Sequence, residues 1–195
     1  DIFCGSKSPI NGLSSIFIIQ INKQEIYLIK VFIRLYYNSI TKTEKKPMHT
    51  LKQLQNHELL GITRLNLSEN LSEFPMEILE LADTLEILSL TNNNLSSLPS
   101  DFDKLTKLKI LFCANNAFTE VPKVLAKCAS LEMIAFKSNQ ISTFAENSLP
   151  LTTRWLILTN NQITTLPNSI GDLQFLQKVA LAGNQIHTLP DQMQN

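Results

Sequence analysis

The residues of this sequence that could act on a substrate or hold a metal are few and scattered. Histidine occurs at His49, His57 and His187, and cysteine at Cys4, Cys113 and Cys128. No histidine stands at a spacing from Ser, Cys or carboxylate that suggests a triad, and the thiols show no metal-ligand spacing. Each histidine reads as a solvated surface residue. The glycines, Gly5, Gly12, Gly61, Gly171 and Gly183, include no pair spaced as a phosphate-cradling loop. No catalytic, metal or cofactor site is expected. The chemistry on offer is recognition instead. The one tryptophan, Trp155, sits in "LTTRWLILTNNQITTLP" (151–167) with Ile157 two residues later.

The elements around Trp155 repeat. Asn93, Asn116, Asn139, Asn161 and Asn184 follow one another at steps of 23, 23, 22 and 23 residues. Around each runs L-x-x-L-x-L-x-x-N-x-L-x-x-L-P, as in "LEILSLTNNNLSSLP" from Leu85 and "LQKVALAGNQIHTLP" from Leu176. A first copy from Ile62 lacks one residue between Asn70 and Leu71, and Ala145 stands where other copies have proline. Such copies are leucine-rich repeats. The expected fold is α/β: a solenoid of about six repeats with a parallel β-sheet on the concave face and helical or 3₁₀ turns on the convex one. The L-x-L pair makes a short strand with both leucines on one face. The Asn amide satisfies backbone groups that the turn leaves unpaired. Cys113 and Cys128 fall on inward positions, as core thiols.

Strand residues pointing away from that core line the concave face. Six positions before each Asn lie Arg64, Ile87, Ile110, Met133, Trp155 and Lys178; four before lie Asn66, Ser89, Phe112, Ala135, Ile157 and Ala180; two before lie Ser68, Thr91, Ala114, Lys137, Thr159 and Ala182. Ile87, Ile110, Phe112, Met133, Trp155 and Ile157 then form an apolar stripe facing water, with Lys137 and Lys178 beside it, of a few hundred Å². An aromatic centre with a polar rim suits a protein partner. The alternative is that lateral stacking half-buries these residues and they only stabilise strands. Arg154 and Lys137 could contact an acidic partner, and Asp101, Asp103 and Lys104 read as a solvated convex face.

Composition bounds the rest. Seventeen basic residues balance seventeen acidic ones, so neither nucleic acid nor an acidic membrane is an expected partner. Unpaired thiols suit a reducing compartment, and the protein is expected in the cytoplasm. Residues 1–47 hold all three tyrosines and ten isoleucines. Lys23, Glu25, Lys30 and Arg34 interrupt the apolar run from Ile16 to Tyr37, so it is too charged to span a membrane. Met48 is the expected natural start, with 1–47 an atypical extension read through from an AT-rich upstream region, or else an unusual N-terminal cap. Residues 48–61, with Leu51, Leu54 and Leu59 or Leu60 at helical spacing, are the expected capping helix. Repeats fill 62–195 and leave the sixth strand as an open edge, so a further repeat, cap or domain is expected beyond Asn195.

The copies ending in "LP" resemble the typical cytoplasmic class of Ras-suppressor-like scaffold proteins. "LSEFP" (71–75), "LADTLEIL" (81–88), "KLKILFCANNAFTEVP" (107–122) and "RWLILTNNQI" (154–163) are similar to bacterial leucine-rich repeat proteins that carry a protein kinase domain after their repeats. The resemblance covers about three quarters of the chain. It implies a module that binds a protein partner, or its own downstream kinase domain, with activity residing downstream. No Gly-rich nucleotide loop, H-R-D or D-F-G occurs here, so no catalytic residue carries over.

Overall fold

A computed structural model describes residues 48–193 of the chain. Six three-residue strands, β1 (Arg64–Asn66), β2 (Ile87–Ser89), β3 (Ile110–Phe112), β4 (Met133–Ala135), β5 (Trp155–Ile157) and β6 (Lys178–Ala180), form one parallel sheet in sequence order. The middle residue of each strand points inward, so Leu65, Leu88, Leu111, Ile134, Leu156 and Val179 stack in register. Every one is buried in the main core. A single coil exposes one flank of its leucines, and stacking removes that surface from water. Phe118 and Phe136 fill the interior edge to face, their centroids 4.9 Å apart.

The five asparagines at the repeat period tie the coils together. Asn139 Nδ2 donates to Cys113 O (2.9 Å) on the preceding coil and Phe136 O (3.0 Å) on its own, while its Oδ1 accepts from Phe118 N (3.1 Å). Asn161 repeats the arrangement with Phe136 O, Leu158 O and Ile141 N. The residue before each rung turns the chain in the left-handed region: Asn92, Asn115, Ser138 and Asn160 have φ from 52° to 60°, and Gly183 has φ 74°. In the first coil Asn70 takes that left-handed conformation, at φ 56°. Asn70 is therefore a turn residue, not a rung. The missing residue leaves Asn93 Oδ1 to accept from both Glu69 N and Leu71 N.

The convex side carries 3₁₀ turns at Met76–Leu81, Phe102–Lys104, Lys123–Lys127, Asn168–Asp172 and Asp191–Met193. The fourth coil, with Ala145 in place of proline, has irregular turns where a 3₁₀ segment was expected. Proline would preset φ for the turn. Here Ser148 Oγ bonds Ala145 O (2.8 Å) and Thr153 Oγ1 bonds Pro150 O (2.7 Å), so buried hydroxyls close the coil.

Within the expected cap, the α-helix is shorter than 48–61. Helix α1 spans Leu51–Gln55, with Thr50 and Gln53 in a reciprocal capping box. Turns follow to Gly61 at φ 82°. Leu54 and Leu59 are buried, while Leu60 is exposed. The extension 1–47 lies outside the described residues.

Candidate functional site

Sheet register assembles the predicted columns. Arg64, Ile87, Ile110, Met133, Trp155 and Lys178 pair laterally strand by strand, and so do Asn66, Ser89, Phe112, Ala135, Ile157 and Ala180. Successive residues of a strand point to opposite faces, so both columns stand on the face away from the main core. The middle of that face is its own apolar cluster: Ile110, Phe112, Met133, Ala135, Trp155 and Ile157, with Ile87 and Ala180 packed at its ends. Lys137 follows β4 in the third column and is half-buried, and Lys178 is exposed at the far end.

Exposure differs from expectation. The stripe was expected to face water, yet Met133 is 2 % exposed, Trp155 5 % and Phe112 7 %. Ile87, stacked between Arg64 and Ile110, stays half-buried. The extra burial is confined to β3–β5.

The flanks of the cluster are polar and organised at the repeat period. Trp155 Nε1 donates to Gln177 Oε1 (3.3 Å), and the Lys178 ammonium lies 5.2 Å from the Trp155 ring centroid. A cation over an indole face is attracted by the ring quadrupole. Just before the strands, Glu86 pairs with Lys109 (3.1 Å) and Glu132 with Arg154 (3.3 Å). Arg154 also reaches over the Phe175 ring at 5.6 Å. Considered from sequence as a contact for an acidic partner, Arg154 is thus committed within the fold.

Two histidines have partners that sequence spacing missed. His57 Nδ1 meets Glu80 Oε2 at 2.7 Å, one repeat away. His49 is half-buried; its Nδ1 accepts from Asn66 N (3.2 Å) and its backbone N–H donates to Asn66 O (3.0 Å). Burial lowers the His49 pKa below its ordinary 6.5, which suits the neutral acceptor. Cys113 and Cys128 are buried as expected. Burial raises the Cys113 pKa, and burial followed by the Asp103 charge pushes Cys128 up to about 12. An open groove of about 640 Å³ lies against the first coil, lined in part by Glu69, Glu73, Glu77 and Glu80. Glu69 there accepts from Leu51 N and Glu80 from His57, so it reads as a solvated acidic face. Among the described residues no helix is long and apolar enough to cross a membrane.

Comparison with known proteins agrees with the geometry. The family model described as Leucine Rich Repeat matches residues 84–105 and 152–173. A mouse leucine-rich repeat and calponin homology domain-containing protein 1 is 30 % identical over 118 residues, which is 58 % of this chain and 16 % of that protein. Two Dictyostelium discoideum proteins are also similar. The probable inactive serine/threonine-protein kinase roco10 is 32 % identical across 73 % of this chain and 5 % of its own length. The probable serine/threonine-protein kinase pats1 is 31 % identical across 62 % and 4 %. The chain therefore spans only a small part of each of these relatives. Among solved structures, a leucine-rich repeat protein of Leptospira interrogans superposes with TM-score 0.61 at 33 % identity, covering 70 % of this chain and 34 % of that one. The plant peptide hormone receptor RGFR1 in complex with RGF2 gives TM-score 0.60 at 29 % identity, covering 72 % and 23 %. The chain has the leucine-rich repeat fold.

Proposed function

We propose that this chain is a non-catalytic protein-recognition module, whose partner packs against the outer face of β3–β5. One observation carries it: an apolar cluster with Trp155 and Met133 at its centre lies on the sheet face that the main core does not use. A sheet face destined for water alternates polar residues there. Trp is enriched among interface residues that dominate binding, and Met adapts to irregular partners. Lys178 and Lys137 supply a basic rim. The structurally similar plant peptide hormone receptor is described in complex with RGF2, which supports a protein ligand on this scaffold. Free core thiols favour a reducing, cytoplasmic setting.

The kinase names of two relatives favour a second reading, in which the repeats regulate a kinase domain of the same polypeptide. Reading the gene past Asn195 decides it: kinase motifs within about 100 residues, less than one domain length, support that arrangement, and their lack removes it.

Peptide-display selection against the full chain tests the recognition surface. Most recovered binders are expected to lose at least tenfold affinity against Trp155→Ala or Lys178→Glu, with circular dichroism unchanged. Binders that ignore both substitutions and map to the convex turns would contradict the assignment.

A further inference from the structure

We propose that the partner held on the outer face is an extended acidic peptide segment, whose carboxylates meet Arg64 at one end of the sheet and Lys178 at the other, with apolar residues between. This names the partner class for the recognition surface described above and rests on that reading.

The placement of charge carries the argument. From β1 to β6 the three outward columns hold Arg64, Lys137 and Lys178, and no Asp or Glu. Seventeen basic residues balance seventeen acidic ones over the whole chain, so the positive excess belongs to this face. The adjoining column, just before the strands, is different. There Glu86 is engaged with Lys109 and Glu132 with Arg154. Among the described residues, Arg64, Lys137 and Lys178 have no ion-pair partner. A surface lined by one sign of charge draws the opposite sign toward it.

Arg64 is the sharpest case. The other described arginine, Arg154, has Glu132 and the Phe175 ring against it. Arg64 is half-buried beside Ile87, and no side-chain hydrogen bond occupies its guanidinium. Burial lowers its pKa below the ordinary value, yet an arginine stays charged in a protein. Its N–H fork can donate two parallel bonds to a carboxylate. A pair formed there, half removed from water, is stronger than one on an open rim.

Spacing sets the length of the segment. Arg64 and Lys178 stand first in β1 and β6, in one column. Five strand spacings separate them, about 24 Å. An extended peptide lying across the strands advances about 3.3 Å per residue, so about seven residues part its two carboxylates. The column it crosses between them is apolar: Ile87, Ile110, Met133 and Trp155. Lys137, two columns away, adds to the field without fixing the spacing.

A display library of random peptides about ten residues long, panned on the full chain, tests the proposal. Enriched binders are expected to carry Asp or Glu at two positions about seven apart, with apolar residues between. A fluorescein-labelled copy of the best binder should lose at least tenfold affinity when either carboxylate becomes Gln, and against Arg64→Gln. Added salt should weaken it several-fold. Arg64→Glu should reject this peptide and accept the version with Lys at the facing end, a gain that unfolding cannot produce. If Arg64 variants lose their far-UV circular dichroism, Lys178→Glu makes the same swap at the other end. A Lys version held no better by the folded charge-reversed variants would overturn the proposal. Neutral or basic binders that weaken against Trp155→Ala but hold Arg64→Gln as well as wild type would overturn the acidic partner and leave the recognition reading standing. Acidic binders indifferent to Trp155→Ala, Arg64→Gln and Lys178→Glu would overturn both. An oligo-dT strand that binds more tightly than the best peptide, and weakens against Arg64→Gln, would assign the cations to phosphates and overturn the proposal too.

Discussion

Asn161 shows how much one side chain can carry. It is buried, donates to Phe136 O and Leu158 O at 2.9 Å, and accepts from Ile141 N at 3.0 Å. Asn161→Ala leaves a buried N–H and two carbonyls short of partners and is expected to cost about 2–4 kcal/mol, read as a lower urea midpoint. Asn184 makes the equivalent bonds in a half-buried setting, so Asn184→Ala should cost less. Cys113 and Cys128 should resist thiol reagents at pH 8 in the folded chain and react once it is denatured, since burial holds both protonated. Their folded pKa values are raised, so stability is full below the ordinary 9.0 and declines as pH climbs past it, when only the unfolded chain releases those protons. His49 has the opposite sign. Its folded pKa lies below 6.5, so the unfolded chain binds the proton first and the His49–Asn66 contact weakens as pH falls through that range.

At the scale of elements, the turns and the irregular fourth coil set the limits of tolerance. Gly183 sits at φ 74°, and a Cβ there would collide with Asn160 Oδ1. Gly183→Ala is therefore expected to lose about 1–2 kcal/mol, the left-handed penalty for a residue with a side chain. The fourth coil hands on to the next through Glu146, whose carboxylate accepts from Asn168 N (2.9 Å) and Ser169 N (2.8 Å) where the 3₁₀ turn 168–172 begins. Those backbone and hydroxyl bonds from Ser169, then Asn168, hold its pKa below the ordinary 4.5. The contribution is present above that value and fades as pH falls through the lowered one, so Glu146→Gln should flatten the acid limb of a midpoint-versus-pH curve. Strand positions, columns and rungs were legible in the sequence because leucine spacing leaves one register. The contacts that were missed share a signal. His57 and Glu80, Glu86 and Lys109, Glu132 and Arg154, Trp155 and Gln177, and Glu146 and Ser169 all stand 22 or 23 residues apart. Residues one repeat apart are lateral neighbours, so each column could have been searched for complementary pairs. The role of Asn70 escaped because a deletion shifts rung and turn onto one letter.

For the whole molecule, what the repeat pattern could not disclose is how deeply the outer face of β3–β5 is buried. Period two fixes which side chains leave the core, and it places Met133, Trp155 and Phe112 on the outer face. It says nothing of what lies over them, so a water-facing stripe was expected where buried residues are found. The account holds that this cluster serves recognition while the inward column serves the fold. Adjacent residues of β4 separate the two roles: Ile134 points into the main core and Met133 into the outer cluster. The decisive measurement compares urea unfolding and affinity for a selected binder in Ile134→Ala and Met133→Ala. Ile134→Ala should lose about 2–5 kcal/mol of stability. Met133→Ala should lose less than half as much stability yet bind at least tenfold more weakly. Equal destabilisation by the two substitutions, with binding by folded Met133→Ala unchanged, would make the outer column packing alone and contradict the account.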